Sequence, residues 1–185
     1  MKQHILFIQG GGDDGGYEAD KALVRSLQEK LEDQYEIDYP EMPSDKSVPD
    51  FGWLQEIGKK ISGAKDNFIV AGHSLGASMI LKFLSENRVT KKIKGIFLLA
   101  TPFWSGNEDW KQGLKLRENF AKNLPGEIPI FFYHCQDDEE VPVLHLDQYR
   151  RTLPRSTFRV LSNGGHQFNN DLAFVGDDIK SLFTK

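Results

Sequence analysis

One serine in this sequence lies in a pentapeptide whose spacing suits nucleophilic chemistry. Gly72-His73-Ser74-Leu75-Gly76 matches the pattern G-x-S-x-G, in which a sharp turn between a strand and a helix exposes the serine hydroxyl. The helix that follows would place free N–H groups and a positive dipole end beside a developing negative charge. The pattern therefore predicts that Ser74 is a nucleophile. The alternative is that Ser74 only caps the helix.

A serine hydroxyl needs a general base, and His166 is the histidine best placed to serve as one. It follows the last predicted strand, and Gly164 and Gly165 before it allow the chain to turn back over the sheet. A capping or surface role is the alternative for His166. The other histidines lie at strand ends, in a helix or beside the nucleophile, and none is expected to face the serine: His4, His73, His134 and His145.

The base in turn needs a carboxylate to orient it, and an acidic loop precedes His166 in the chain. Asp138 lies three residues before Val141-Pro142, and we associate this D-x-x-V-P spacing with the orienting acid of enzymes built on such a serine turn. Asp137 is the second candidate for this role. The two glutamates that follow, Glu139 and Glu140, are expected to belong to a solvated acidic turn.

Attack of a serine on a carbonyl creates an oxyanion, which two fixed N–H donors can stabilise. Leu75, directly after the nucleophile, is expected to supply one of them. The second is expected from the loop Gly10-Gly11-Gly12 after the first strand, here called the glycine loop. Glycine lets backbone approach a substrate without a side chain in between. Gly11 is our choice for this donor, and Gly12 is the alternative.

Two other kinds of site have weaker support. Residues 10–15 satisfy the dinucleotide pattern G-x-G-x-x-G, with Asp38 as a ribose ligand. Asp13 and Asp14 argue against this reading because two carboxylates would repel a pyrophosphate. A metal site lacks H-E-x-x-H or paired C-x-x-C spacing. We therefore expect neither a cofactor nor a metal.

Short apolar runs alternate with amphipathic stretches, and these elements must position the residues above. Strands are predicted over residues 5–9, 36–39, 67–71, 93–100, 128–134 and 158–161. Helices are predicted over residues 18–32, 51–62, 75–87, 108–123, 143–151 and 170–183. This alternation predicts an α/β fold with a mostly parallel sheet of about six strands and helices on both faces. Ligand sites in such sheets lie beyond the carboxyl ends of the strands, where all the candidate residues fall.

Length and composition agree with one domain spanning residues 1–185. A hydrophobic fraction of 39% is enough for a core, and a net charge of -4 leaves no basic surface for nucleic acid. No apolar run approaches the ~20 residues needed to cross a bilayer. The single cysteine, Cys135, cannot form an internal disulfide. We therefore expect a cytoplasmic protein that binds neither nucleic acid nor membrane.

The motifs at residues 72–76, 138–142 and 164–166 together resemble those of the α/β-hydrolase superfamily. More narrowly, residues 8–13 (IQGGGD) and 39–43 (YPEMP) look like the small lidless serine hydrolases related to retinoblastoma-binding protein. The resemblance implies a Ser74–Asp138–His166 triad and a two-step acyl-enzyme mechanism without cofactor. The order of Ser74, Asp138 and His166 along the chain predicts a serine hydrolase that acts on small carboxylic esters. Gln9 departs from this family, in which many members carry His or Pro at that point.

The resemblance also bears on the substrate pocket. Superfamily members with a lid insert it after the strand that is predicted to end near residue 100, but here only residues 101–127 precede the next strand. We therefore expect no large cap domain. Aromatic side chains in this interval and beyond the base could line a pocket for a small acyl substrate, with core packing as the alternative: Phe103, Trp104, Trp110 and Phe168. The alternative function is a fold of this kind that binds a protein partner.

Overall fold

The computed structural model describes residues 2–11, 16–104 and 112–183. The strands in these ranges are β1 Gln3–Ile8, β2 Tyr35–Asp38, β3 Phe68–His73, β4 Ile93–Leu99, β5 Ile130–Cys135 and β6 Thr157–Leu161. The helices are α1 Gly16–Leu31, α2 Trp53–Gly63, α3 Leu75–Glu86, α4 Phe120–Asn123, α5 His145–Thr152 and α6 Ala173–Ser181. Within the described ranges, no helix is both long enough and apolar enough to cross a bilayer.

The six strands form one parallel sheet in the order β2-β1-β3-β4-β5-β6. The predicted α/β fold with a parallel sheet is therefore confirmed. The chain moves outward from β1 to β2 and then returns to β3 on the other side of β1. Ile8 at the end of β1 pairs with Gly72 of β3. This register places Gly10 and Gly11 of the glycine loop directly beside the turn that carries Ser74.

Helices cover both faces of the sheet, and the strands are apolar on both sides as a result. Within β3, Phe68 and Val70 belong to the core under α2 to α5, whereas Ile69 and Ala71 belong to the core under α1 and α6. All four side chains are buried. The period of two along the strand thus divides one continuous apolar run between two cores.

The prediction of a helix over residues 108–123 is wrong for residues 112–119, which form turns and extended chain. Residues 105–111 lie outside the described part, and helix is present only at α4. Leu114 and Leu116 are buried on either side of exposed Lys115, which is the alternation of an extended segment. The Lys82 ammonium of α3 donates a hydrogen bond to the Lys115 carbonyl at 2.8 Å. Packing against α3 therefore outweighs the helical pattern.

Helix α3 approaches β1 very closely at Gly76. A Cβ atom at this position would overlap the Gln9 carbonyl oxygen and would lie 2.6 Å from the Ile8 carbonyl oxygen. We expect Gly76→Ala to lower the free energy of unfolding by roughly 2 kcal/mol, because the obstructing atoms are backbone and cannot move aside. Urea unfolding measures this change.

The control for this substitution is Gly63→Ala at the end of α2. A Cβ atom at Gly63 would have nothing within 4 Å. Because alanine favours helix over glycine, this variant should be neutral or stabilised by up to about 1 kcal/mol. Equal losses of stability in the two variants would contradict the close contact at Gly76.

Candidate active site

Ser74 lies on a sharp turn between β3 and α3. Its backbone has φ 48° and ψ -119°, a conformation that L-residues avoid and that costs about 1–3 kcal/mol. The Ser74 N–H donates to the Leu99 carbonyl at 2.8 Å, and its own carbonyl accepts from Ser78 N–H. The hydroxyl makes no capping hydrogen bond to α3, a helix that the structure describes in full. The capping alternative for Ser74 therefore has no structural support.

His166 and Asp138 are paired at the carboxyl ends of β5 and β6. Nδ1 of His166 lies 3.0 Å from each oxygen of the Asp138 carboxylate. Gly164 and Gly165 have φ values of 139° and 61°, which glycine adopts at little cost. The Gly-Gly turn predicted before His166 thus has the conformation that only glycine favours, and it brings the imidazole to the acid.

The spacing between Asp138 and Val141 has a simple local cause. The Asp138 Oδ1 atom accepts hydrogen bonds from Glu140 N–H at 2.9 Å and from Val141 N–H at 2.8 Å. An aspartate that accepts from backbone two and three residues ahead closes a tight turn and fixes its own side chain. The D-x-x-V part of the motif therefore orients the carboxylate through local hydrogen bonds that do not involve the histidine.

Asp137, the second candidate for the acid, lies elsewhere. Its exposed carboxylate accepts hydrogen bonds from Gly165 N–H at 2.9 Å and from Gly164 N–H at 3.2 Å. Among the described residues, no hydrogen bond or ion pair joins Asp137 to the His166 ring. Asp137 therefore anchors the loop that carries His166, whereas Asp138 meets the imidazole itself.

Electrostatics lower the pKa of Asp138 and raise the pKa of His166 in this pair. Burial raises the pKa of Asp138, but the hydrogen bonds from His166 and from backbone N–H groups outweigh burial and leave it below its ordinary value. Burial lowers the pKa of His166, but the Asp138 carboxylate and the charges of Glu140 and Asp20 raise it further than burial lowers it. An ionised carboxylate that stabilises an imidazolium is what a general base needs during acyl transfer.

Ser74 and His166 lie at the same edge of the sheet. The His166 ring packs 4.7 Å, centroid to centroid, from the ring of His73, the residue before Ser74. Among the described residues, no hydrogen bond joins the Ser74 hydroxyl to the imidazole. Nε2 of His166 instead lies 3.6 Å from the Glu140 carboxylate. Catalytic hydrogen bonds are often long without substrate and tighten when it binds.

The two proposed oxyanion donors lie side by side. A Cβ atom on Gly11 would lie 2.7 Å from the Leu75 side chain, so the glycine loop packs directly on the start of α3. Leu75 is the first residue of that helix, and its N–H has no acceptor within the helix. The Gly10 N–H already donates to Asp20 at 2.7 Å, which leaves Gly11 as the next donor in the loop. Gly12 lies outside the described residues.

Ser74 opens onto a cleft of about 600 Å³. The cleft lies between the glycine loop, the segment after β4 and the loop at residues 40–49 after β2, here called the proline-rich loop. Its apolar wall consists of Met42, Pro43, Phe51, Trp53, Leu75, Trp104, Leu114 and Val141. Its polar wall includes Gln9, Tyr17, Glu18, Glu41, Ser44, Lys46 and Glu140. The site therefore offers one apolar and one polar side to a ligand.

The aromatic residues that were predicted to line the pocket separate in the structure. Trp104 lines the cleft, and its indole N–H donates to the Ser78 hydroxyl at 3.1 Å. Phe103 packs against Tyr149 in the core, with ring centroids 5.2 Å apart. Phe168 is buried under α1 and α6, on the other face of the sheet. Phe103 and Phe168 therefore pack in the core, which was the alternative for both. Trp110 lies outside the described residues.

The proline-rich loop after β2 was not predicted to take part in the site, although it supplies part of the cleft wall. Gln9 fastens it there, because the Gln9 Oε1 atom accepts from Met42 N–H at 2.9 Å. The amide of Gln9 also donates to the Gly10 carbonyl at 3.3 Å. The position of this loop at the carboxyl end of a parallel strand was the signal that could have identified it.

The other histidines do not reach Ser74. His4 lies beside Glu36 at the sheet edge, and His145 Nδ1 accepts from the Phe103 N–H. His134 is buried, and its Nε2 atom donates to the Val141 carbonyl at 2.7 Å. His73 points away from the serine and contacts Asp20. His166 therefore stays the predicted base for Ser74.

A parallel sheet with a strained serine turn after β3 and an Asp–His pair after later strands defines an α/β-hydrolase fold. The chain belongs to the serine hydrolase family, whose model matches residues 20–174. This result confirms the superfamily that was inferred from the motifs. The comparison with curated protein sequences gives no match.

Solved structures share the fold over nearly the whole chain. The ydeN gene product from B. subtilis has a TM-score of 0.70 and 19% identity, with 100% of both chains covered. Est1E from Butyrivibrio proteoclasticus has a TM-score of 0.73 and 16% identity, covering 98% of this chain and 87% of that one. A variant of the meta-cleavage product hydrolase CumD from Pseudomonas fluorescens IP01 has a TM-score of 0.75 and 12% identity, covering 98% and 90%. At these identities the likeness establishes the fold alone.

Proposed function

We propose that this serine hydrolase cleaves small carboxylic esters through an acyl-enzyme on Ser74, with His166 as base and Asp138 as orienting acid. The observation that carries the proposal is a serine with strained backbone, whose hydroxyl does not cap the helix, at a cleft beside a buried Asp–His pair. The cleft volume of about 600 Å³ falls in the range of small-molecule sites, roughly 300–1,000 Å³. The apolar wall suits an acyl chain.

The proposed reaction has two halves. His166 Nε2 takes the proton of the Ser74 hydroxyl as the serine oxygen attacks the ester carbonyl. Asp138 accepts a hydrogen bond from the Nδ1–H of the imidazole at the same time. The N–H groups of Gly11 and Leu75 stabilise the oxyanion. The imidazolium then returns the proton to the leaving alkoxide, the C–O bond breaks, and an acyl-serine remains. Water repeats the cycle and releases the acid.

A fluorophosphonate probe tests this proposal, because it reacts covalently with activated serine hydroxyls. The probe should label the wild-type protein, and peptide mass spectrometry should locate the adduct on Ser74. A series of p-nitrophenyl esters of increasing chain length should then define the acyl preference. Absence of labelling would contradict the proposal and favour the protein-binding alternative, whereas an adduct on another serine would show that Ser74 is not the nucleophile.

The pH dependence of kcat/KM depends on Glu140. Only the neutral imidazole of His166 accepts a proton, so kcat/KM should rise with pH through the pKa of His166. Burial lowers this pKa, but Asp138, Glu140 and Asp20 outweigh burial and raise it. The midpoint should therefore lie above the ordinary histidine value of about 6.5. Glu140→Gln removes a charge 3.6 Å from Nε2 and should move the midpoint to lower pH.

A matched control is Glu139→Gln, which makes the same charge change one residue away. Glu139 approaches the Gly165 backbone and is not among the groups that chiefly raise the His166 pKa, which are Asp138, Glu140 and Asp20. Its kcat/KM profile, measured across the neutral range, should stay close to that of the wild type. A midpoint that moves equally in both variants, or in neither, would show that Glu140 does not act on the base.

A further inference from the structure

A carboxylate and an imidazole are buried together behind the proposed catalytic groups. Asp20 comes from α1 and His73 from the end of β3, and each side chain is only 1% exposed. Nδ1 of His73 lies 2.9 Å and 3.0 Å from the two Asp20 oxygens. In the mechanism proposed above neither residue contacts the substrate, and neither lines the cleft. Their burial as a polar pair therefore calls for another role.

The pair makes hydrogen bonds to the segments that carry the reacting groups. Asp20 Oδ2 accepts from the Gly10 N–H of the glycine loop at 2.7 Å. Asp20 Oδ1 accepts from the Gln167 amide at 3.2 Å. Nε2 of His73 donates to the backbone carbonyl of His166 at 3.0 Å. One buried pair thus bridges the glycine loop and the loop that carries the base.

The His73 imidazole lies between two oxygen groups. Its Nδ1 atom faces the Asp20 carboxylate, and its Nε2 atom faces the His166 carbonyl. Burial raises the pKa of Asp20, but the hydrogen bond and charge of His73 outweigh burial and lower it. Asp20 and His73 are therefore joined by hydrogen bonds in the interior of the protein. Removing one partner of a buried hydrogen bond is costly, because the other partner is left unsatisfied.

We propose that Asp20 and His73 are positioning residues. They hold the glycine loop and the loop that carries His166, here called the base loop, in the correct position relative to Ser74. The inference rests on the proposed function. His73 precedes Ser74 directly, Gly10 precedes the oxyanion donor Gly11, and the carbonyl bound by His73 belongs to His166 itself. A displacement of about 1 Å at reacting groups can lower a rate about 100-fold.

The packing around the pair fits this role. A Cβ atom on Gly10 would lie 3.1 Å from His73 Nδ1 and 3.4 Å from an Asp20 oxygen, so glycine lets the loop seat directly on the pair. The rings of His73 and His166 pack with centroids 4.7 Å apart. The pair therefore fixes the glycine loop and the base loop by contact as well as by hydrogen bonds.

Asp20→Asn tests the proposal with little change of volume. An asparagine has one oxygen and one NH2 group, so its NH2 must face the N–H of either Gly10 or His73, and at least one bond is lost. We expect kcat for a p-nitrophenyl ester to fall about 10- to 100-fold. KM should change less than kcat, within about twofold of the wild-type value, because neither Asp20 nor His73 lines the cleft.

Asp178→Asn is the matched control, since Asp178 is a buried carboxylate far from the cleft. Asp178 is 8% exposed, accepts from the Tyr133 hydroxyl at 2.8 Å and pairs with Arg159. We expect both Asp178→Asn and Asp20→Asn to lose thermal stability. Only Asp178→Asn should keep the wild-type kcat. The contrast separates a positioning role from a merely structural one.

Three results would overturn the inference. The first is a folded Asp20→Asn protein with wild-type kcat, and the second is an equal fall of kcat in Asp178→Asn. If Asp20→Asn does not fold, His73→Gln takes its place, because glutamine keeps a donor for the His166 carbonyl and loses the bond to Asp20. A wild-type kcat in folded His73→Gln is the third. A wild-type protein that neither hydrolyses esters nor reacts with the fluorophosphonate would instead overturn the proposed function.

Discussion

Replacing Ser74 with alanine is expected to lower kcat for a p-nitrophenyl ester by at least about 10⁴-fold. Alanine has no oxygen to attack the carbonyl, so no acyl-enzyme can form. Residual turnover would come only from binding and from the N–H donors of Gly11 and Leu75, which remain. Steady-state rates at substrate saturation measure the change. Fluorophosphonate labelling should disappear in the same variant.

Ser85→Ala is the control for this experiment. Ser85 lies on the same helix, α3, and its buried hydroxyl donates to the Lys82 carbonyl at 3.1 Å. Its removal costs one local hydrogen bond and should leave kcat unchanged. Turnover and labelling that persist in Ser74→Ala would show that another residue is the nucleophile.

Asp138→Asn should have the second largest effect, a fall of kcat by about 10⁴-fold. The carboxylate accepts the Nδ1–H of His166, which leaves Nε2 free to take the serine proton. An asparagine NH2 group facing Nδ1 would favour the opposite tautomer, with hydrogen on Nε2. The imidazole could then no longer act as a base toward Ser74. Steady-state kinetics at the pH optimum would measure the loss.

Asp137→Asn provides the comparison because it makes the same chemical change one residue earlier. An asparagine at this position retains an oxygen that can accept from Gly165 N–H, so the loop that carries His166 should keep its shape. We expect an effect far smaller than that of Asp138→Asn. A larger loss in Asp137→Asn would reverse the assignment of the acid.

Much of the fold followed from the sequence because the signals are local. Apolar runs and amphipathic stretches alternate along the chain, and each run became a parallel strand. The motifs around Ser74, Asp138 and His166 are also local, since each combines a turn with the residue that the turn presents. The parallel sheet then brings separate turns to one edge. Local patterns were therefore sufficient to place these three residues in one region.

The remaining features depend on contacts between distant segments, which leave no periodic signal. Asp20 lies within a helix, and nothing local shows that it meets His73 across the structure. Phe168 begins a run of three residues with positive φ, from 51° to 56°, and this run of left-handed backbone directs its ring into the core. The alternating burial of Leu114 and Leu116 depends on packing against α3, a helix that is distant in sequence. Aromatic composition alone could not distinguish a pocket wall from core.

The backbone at Ser74 also bears on how this protein could be engineered. A domain of this kind has a stability margin of only about 5–15 kcal/mol, and the left-handed turn at Ser74 uses part of it. Substitutions that relax this turn would raise thermal resistance and withdraw the hydroxyl at the same time. Gains in heat tolerance should therefore be sought on the solvent-facing side of α5 and on the later turns of α1 and α2, which do not line the cleft.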